Sequence, residues 1–305
     1  MTDYEAIDVH VHTYRTREMG RQAMMGRGHA DYGGTVEELL EIMRSAGIRR
    51  AVQVNMTPVA DMRDAALQRL PAGLAEEERE EALARINQEL KGRLIRRNEW
   101  TCQVSREHPE LVAFIGLDPT VMTSEEMLAE LERCLSLGAR GIKLHPAAQR
   151  FFPTDRRLFP VYERAQELGL PITFHSGPFT LGPNEGDYAH PRNFAGLLTA
   201  FPRLRVVLAH LGFGAYRDAE ALARQFPGLW FDCCGLINGT EPRPPLDDEE
   251  AAALIRSVGV ERVMFGSDYP WFDPARDAER IARLPLTEAE KRAVLHDNAA
   301  RLLGL

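Results

Sequence analysis

Short runs of β-branched and aromatic residues alternate along this chain with longer stretches whose apolar residues recur every three or four positions. The short runs predict strands at 6–11, 51–55, 112–117, 141–145, 172–175, 205–209, 229–233 and 262–266. Between them, helical periodicity predicts helices at 35–46, 124–137, 158–168, 193–201, 216–225 and 247–258. Thr35 and Thr123 each precede early carboxylates, as helix-capping hydroxyls do, and Gly47, Gly138 and Gly169 stand where helices should stop. Strand then helix, eight times over, predicts an α/β fold of the closed (β/α)8 TIM-barrel kind. The competing assembly of the same units is an open, doubly wound sheet.

Two connections are longer than such a ring requires. Residues 13–34 follow the first strand and are rich in Gly, Met and Arg; residues 56–109 follow the second and carry a long charged helical pattern from Glu76 onward. Loops after strands crown the catalytic face of a barrel, so both insertions are expected to cap it. Neither has a core of its own, so residues 1–305 are read as a single domain.

Composition narrows the function classes. With 44% hydrophobic and 27% charged residues, the 305-residue chain has the balance of an ordinary globular protein. A net charge of −8 argues against a phosphate-binding surface and hence against nucleic acid as partner; the basic run 93–97 reads as a solvated helix face. Four cysteines without CxxC spacing predict a reduced, cytoplasmic protein, and the adjacent Cys233 and Cys234 read as structural. No leader is expected from the first residues, and no apolar run approaches the roughly 20 residues of a membrane helix.

The candidate chemistry lies at strand ends. In an extended strand His10 and His12 share one face, with Val9 and Val11 on the other, so the two imidazoles can chelate one cation. His175, His210 and Asp268 also terminate otherwise apolar strands. Singly, such a histidine is commonly a hydrogen-bonded structural residue, and an Asp after Gly-Ser a helix cap. Together, five polar side chains at the ends of strands from one barrel point to a metal site. Lys143 and His145 share a face of the fourth strand, and Tyr269 and Trp271 offer an aromatic wall or simple packing. Arg27 and His29 could reach the site from the first insertion, and His190 precedes a proline at a helix start; His108 and His296 read as surface residues.

The segments around Asp8, His10 and His12, Gly141 to Pro146, Phe174 to Gly177, Ala209 to Gly212, Phe265 to Trp271 and Asn298 to Arg301 resemble the amidohydrolase superfamily, in particular its amidohydrolase-related branch. That branch holds both hydrolases and decarboxylases, aminocarboxymuconate semialdehyde decarboxylase among them. The resemblance covers nearly the whole chain and implies that His10, His12, His175 and Asp268 bind one metal ion. His210 would then act on the reacting group, and Lys143, His145 and Trp271 would meet the substrate. A carbamylated Lys143 bridging two metals is the binuclear alternative. Nitrogen and carboxylate donors suit Zn²⁺, with Mn²⁺, Fe²⁺ or Co²⁺ also acceptable.

Two reactions follow on a small organic molecule. In hydrolysis, the favoured expectation, metal-activated water attacks an amide, ester or lactone carbonyl while Asp268 handles its proton. In nonoxidative decarboxylation of an aromatic or unsaturated acid, the same ligands hold the carboxylate. A noncatalytic metal-stabilised scaffold is the third reading, opposed by the additional His210. A homodimer is the expected assembly, if any.

Overall fold

A computed structural model describes residues 5–29, 31–177, 187–236 and 245–305. Eight parallel strands pair in chain order: β1 (Ala6–Val11), β2 (Ile48–Val54), β3 (Leu111–Gly116), β4 (Gly141–Leu144), β5 (Pro171–Phe174), β6 (Arg205–Leu208), β7 (Trp230–Asp232) and β8 (Val263–Met264). The segment after β8 brings the ring nearly to closure. Val9 N–H donates to Phe265 O at 2.9 Å, Asp268 N–H to His10 O at 2.8 Å and His12 N–H to Tyr269 O at 2.7 Å. The eight expected strands are all present, and the open sheet is excluded.

The helices are α1 (Arg17–Met24), α2 (Val36–Ala46), α3 (Val59–Leu67), α4 (Glu76–Glu107), α5 (Ser124–Ser136), α6 (Pro146–Gln149), α7 (Phe159–Leu168), α8 (Ala195–Ala200), α9 (Tyr216–Gln225), α10 (Asp248–Val258), α11 (Pro274–Arg283), α12 (Glu288–Arg292) and α13 (Asn298–Leu303). Thr35 and Thr123 cap α2 and α5 as expected, the latter in a reciprocal box with Glu126. None of the described helices is long and apolar enough to cross a membrane.

Two apolar layers hold the ring. The larger lies between the strands and the outer helices; the smaller fills the lumen with Ile7, Val9, Val52, Val54, Val112, Phe114, Val207 and Met264, packed against Leu302 and Leu303 of α13. Thus α13 plugs the end where the strands begin. Arg140 donates to Leu303 O at 2.9 Å and Arg205 to Leu302 O at 3.2 Å, so two cations from strand beginnings meet carbonyls at the carboxyl end of the helix. Arg301 lies over the Trp230 ring at 4.9 Å.

Strict alternation along β1 fails at one point. Val9 belongs to the lumen layer and Val11 to the outer one, so they do not share a face. The reason is register: Asp8 pairs with Ala51 and Val11 with Gln53, three steps on β1 against two on β2. The extra residue is a β-bulge, a device that re-aims side chains beside active sites. It lies at the stretch that carries His10.

The second insertion divides into two parts. From Leu90 onward α4 buries Leu90, Leu94, Asn98, Thr101, Cys102 and Val104 against the barrel. It is the outer-layer helix between β2 and β3, and Asn98 exchanges hydrogen bonds with both backbone groups of Gly116. α3 reaches across to α6, joined by Arg150 to Asp64.

Candidate metal centre

The carboxyl ends of the strands gather ionisable side chains, above a lumen lined by apolar residues and Thr173. One donor atom from each of His10, His12 and Asp268 lies within 4.8 Å of the others. Asp268 Oδ1 is 3.2 Å from His12 Nε2 and 3.6 Å from His10 Nε2. Local backbone makes this meeting possible. Asp268 has φ of +63°, turning its carboxylate back over β1, and a Cβ on Gly266 would stand 2.9 Å from that of His10. A side chain at 266 would therefore force the two strands apart.

Across the mouth, the His175 ring stacks on His145 at 4.0 Å between centroids, with 7° between planes, and stands 4.8 Å from the His210 ring. His210 in turn is 5.1 Å from His10. A Cβ on Gly177 would stand 2.4 Å from Gly212 O, so only glycine lets the turns after β5 and β6 touch. His210, Leu211, Gly212 and Phe213 all have positive φ, an uncommon left-handed turn for three non-glycine residues. His175 borders the His10, His12 and Asp268 group without joining it within the same 4.8 Å limit.

Lys143 is fully buried with Nζ 3.3 Å from His10 Nε2. His145 uses Nδ1 to cap α6, accepting from Ala148 N–H at 3.1 Å, while its ring keeps its place on His175. Trp271 meets His12 edge-on at 5.3 Å. Tyr269 instead packs inward, its hydroxyl donating to Glu38. Of the remaining histidines, His29 stacks on Tyr32 at 4.4 Å, His190 caps the turn Pro191–Phe194, and His296 contacts Glu5 O at the opposite end of the barrel.

Sequence reasoning missed two neighbours, one at the end of β7 and one in the turn that follows it. Asp232 Oδ2 lies 2.9 Å from His10 Nδ1, and its Oδ1 accepts from His210 N–H at 2.8 Å. Cys234 Sγ is 3.0 Å from His210 Nδ1 and 3.3 Å from His10 Nδ1, and with these two histidines makes a second three-donor group. Asp232 was findable: a lone carboxylate ending an apolar strand is the signal that singled out His175 and His210. Nothing local marks Cys234, which touches the site rather than serving packing alone.

Burial sets the protonation of the cluster. It lowers His10 to about 4, assisted by the positive charge of Lys143, and also lowers His12, His145 and His175. Lys143 is lowered by burial too, against the pull of Asp232, Cys234 and Asp268. Burial alone would raise Asp268 and Asp232; His12 and His10 respectively outweigh it, and both stay ionised. Asp8, buried beneath His10, is raised to about 7. Neutral imidazoles beside an ionised carboxylate are the protonation states that a transition metal requires of its ligands. The donor set therefore fits a divalent cation.

Residues 7–305 match the family described as Amidohydrolase. The chain belongs to that family. Among curated proteins it is similar to 2-amino-3-carboxymuconate-6-semialdehyde decarboxylase of Dictyostelium discoideum, 27% identical over 239 residues. That match covers 68% of this chain and 65% of the relative, just under two thirds of its length. Among solved structures, 2,6-dihydroxybenzoate decarboxylase complexed with 2,6-dihydroxybenzoate has a TM-score of 0.69 at 17% identity, covering 99% of each chain. A dihydroxybenzoic acid decarboxylase from Polaromonas sp., with bound manganese and the inhibitor 2-nitroresorcinol, gives 0.69 at 16% identity over 99% of this chain and 97% of that one. At those identities, the two structures establish the shared barrel.

Proposed function

We propose that this amidohydrolase-family protein is a metal-dependent nonoxidative decarboxylase of an aromatic or unsaturated carboxylic acid. The observation that carries the reading is its sequence relationship to a curated decarboxylase over 239 residues. The reading replaces hydrolysis as the favoured reaction, and the same cluster serves it.

In this reading His10, His12, His175 and Asp268 hold one divalent ion. Their nitrogen and carboxylate donors suit zinc, and manganese in the similar Polaromonas structure makes it the other candidate. When bound, the cation supplies Lewis-acid stabilisation for negative charge developing on substrate oxygens. Lys143 brings a buried positive group toward the substrate carboxylate. His145 and Trp271 line the faces of the unsaturated system, where flat rings pack well.

As the bond to the carboxyl carbon breaks, CO₂ leaves and the electron pair stays on the substrate carbon. His210 delivers the proton that replaces it and recovers one from solvent. Water is not consumed. Buried surroundings keep competing water from the reacting carbon.

Hydrolysis retains one supporting feature, the Asp268 carboxylate standing in the same donor group as His10 and His12, where a metal-activated water would lie within its reach. The experiment that separates the two uses metal-reconstituted protein in ¹⁸O-labelled water, with hydroxylated benzoates and with lactones as substrates. Decarboxylation releases CO₂ and leaves a new C–H bond that carries deuterium in heavy water. A new ¹⁸O-labelled carboxylate from the lactones, with no CO₂ from the acids, overturns the proposal.

A further inference from the structure

We propose that Asp232 is a positioning residue: its single buried carboxylate pins His10 and His210 to each other, each with its hydrogen on Nδ1, and Cys234 completes the clasp. The role in function rests on the reading of His10 as a metal ligand. The geometry stands without it.

The hydrogen positions follow from which atoms can only accept. His10 Nδ1 faces Asp232 Oδ2 at 2.9 Å, and a carboxylate accepts, so the hydrogen of neutral His10 is on Nδ1. His210 Nδ1 faces the backbone carbonyl of Cys234 at 3.2 Å, which again can only accept. The thiol of Cys234 donates to Asp232 Oδ1 at 2.8 Å and so turns its sulfur lone pairs to His210 Nδ1 at 3.0 Å. Asp232 Oδ1 also takes the backbone N–H of His210 at 2.8 Å, at the head of the left-handed turn.

Each Nδ1 hydrogen has one place, which leaves Nε2 of His10 with its lone pair and makes Nε2 of His210 the atom that gives and regains the proton. For His10 that nitrogen is the one beside Asp268 and Lys143, the ligand side. For His210 it is the one directed away from β7. A carboxylate that fixes the tautomer and ring orientation of a ligating histidine raises its affinity for metal. Here the same carboxylate also anchors the residue read as the proton donor.

An isosteric change exposes the arrangement. In Asp232→Asn one oxygen becomes NH₂. His10 Nδ1–H donates on one side and His210 N–H on the other, so either orientation of the amide sets donor against donor. His10 can relieve the conflict by moving its hydrogen to Nε2, which blocks the ligand nitrogen.

The test has two arms. In the metal-free wild type, two-bond ¹⁵N–¹H correlation of labelled histidines, assigned with His10→Gln and His210→Gln, should find both rings protonated on Nδ1; hydrogen on Nε2 of His10, or a His210 without hydrogen on Nδ1, overturns the proposal. In the second arm, competition with a chelating dye measures Zn²⁺ and Mn²⁺ affinity of wild type, Asp232→Asn and Leu302→Ala, a change at the opposite mouth of the barrel. Affinity should fall roughly 10–100-fold in Asp232→Asn and hold in Leu302→Ala; an equal fall in both overturns the positioning role. Wild-type affinity in a folded Asp232→Asn, checked by circular dichroism, overturns the positioning role. A wild type that takes up neither metal overturns instead the reading of the metal centre, and the tautomers still decide the clasp. Should Asp232→Asn not fold, the tautomer arm alone decides.

Discussion

The two ends of this barrel are made from the same strands and do opposite things. Where the strands begin, Ile7, Val9, Val52 and Val112 meet Leu302 and Leu303 of α13, and Arg140 and Arg205 tie off the helix. Where the strands end, His10, His12, Lys143, His175, His210 and Asp232 crowd together nearly cut off from water, beside the half-buried Asp268. The first end is stabilised by removing apolar surface from water. The second carries desolvated polar groups, each of which must find a partner or a cation. A few residues of chain separate these regimes: Val9 lies in the apolar layer and His10 in the polar one, with the bulge between them. Stability is concentrated at one mouth and chemistry at the other.

Substitutions at the two ends should therefore have crossed effects. His210→Ala should lower kcat by about 10²–10⁴-fold, the usual worth of a positioned acid or base, while thermal unfolding hardly moves. Leu302→Ala should cost about 2–5 kcal/mol of stability through the cavity it leaves, with kcat per folded molecule preserved. Calorimetry and steady-state kinetics on both proteins check this, and a large kinetic loss in Leu302→Ala would break the comparison.

Metal should act on one end only. Loading the metal-free protein with Zn²⁺ or Mn²⁺ at about 100 times Kd should stabilise it by about 2.7 kcal/mol. The gain, read as a rise in Tm, should be the same in Leu302→Ala and largely lost in His12→Ala.

The smallest effect is in acid. His10 titrates at about 4 in the fold against an unperturbed 6.5, and His12, His145 and His175 are lowered as well. The unfolded chain therefore binds more protons between about 4 and 6.5, and metal-free protein should lose stability as pH falls through that window. Asp8, raised to about 7, works the other way: its contribution is present below the ordinary 3.8 and is lost as pH rises through 7. Four histidines outweigh one aspartate. Asp8→Asn removes the opposing group and should steepen the acid loss in urea titrations at pH 4.5 and 6.5. At the apolar end, the penalty of Leu302→Ala should not vary between those two pH values.

Much of this was legible from the chain. The strand and helix pattern is local, since period and capping residues act within a few positions, and the observed bounds lie close to those it predicts. His10, His12 and Asp268 were findable as polar residues ending apolar strands, and the fold brings them together. The outer-layer role of the carboxyl half of α4 was hidden, because a helix that packs on the barrel and one that caps it share the same amphipathic period. Cys234 carried no signal at all.

What the sequence determined by itself was which segments are strands, which are helices, and which strand ends bear donors. Tertiary structure decided the rest: that Val9 and Val11 part company at a bulge, that α13 seals one mouth, and that a carboxylate on β7 joins a histidine of β1 to one in the turn after β6. The physical reason is range. A residue's periodicity reports its own face, whereas register across a ring and hydrogen bonds between residues 10, 210 and 232 exist only once distant segments have been packed against each other.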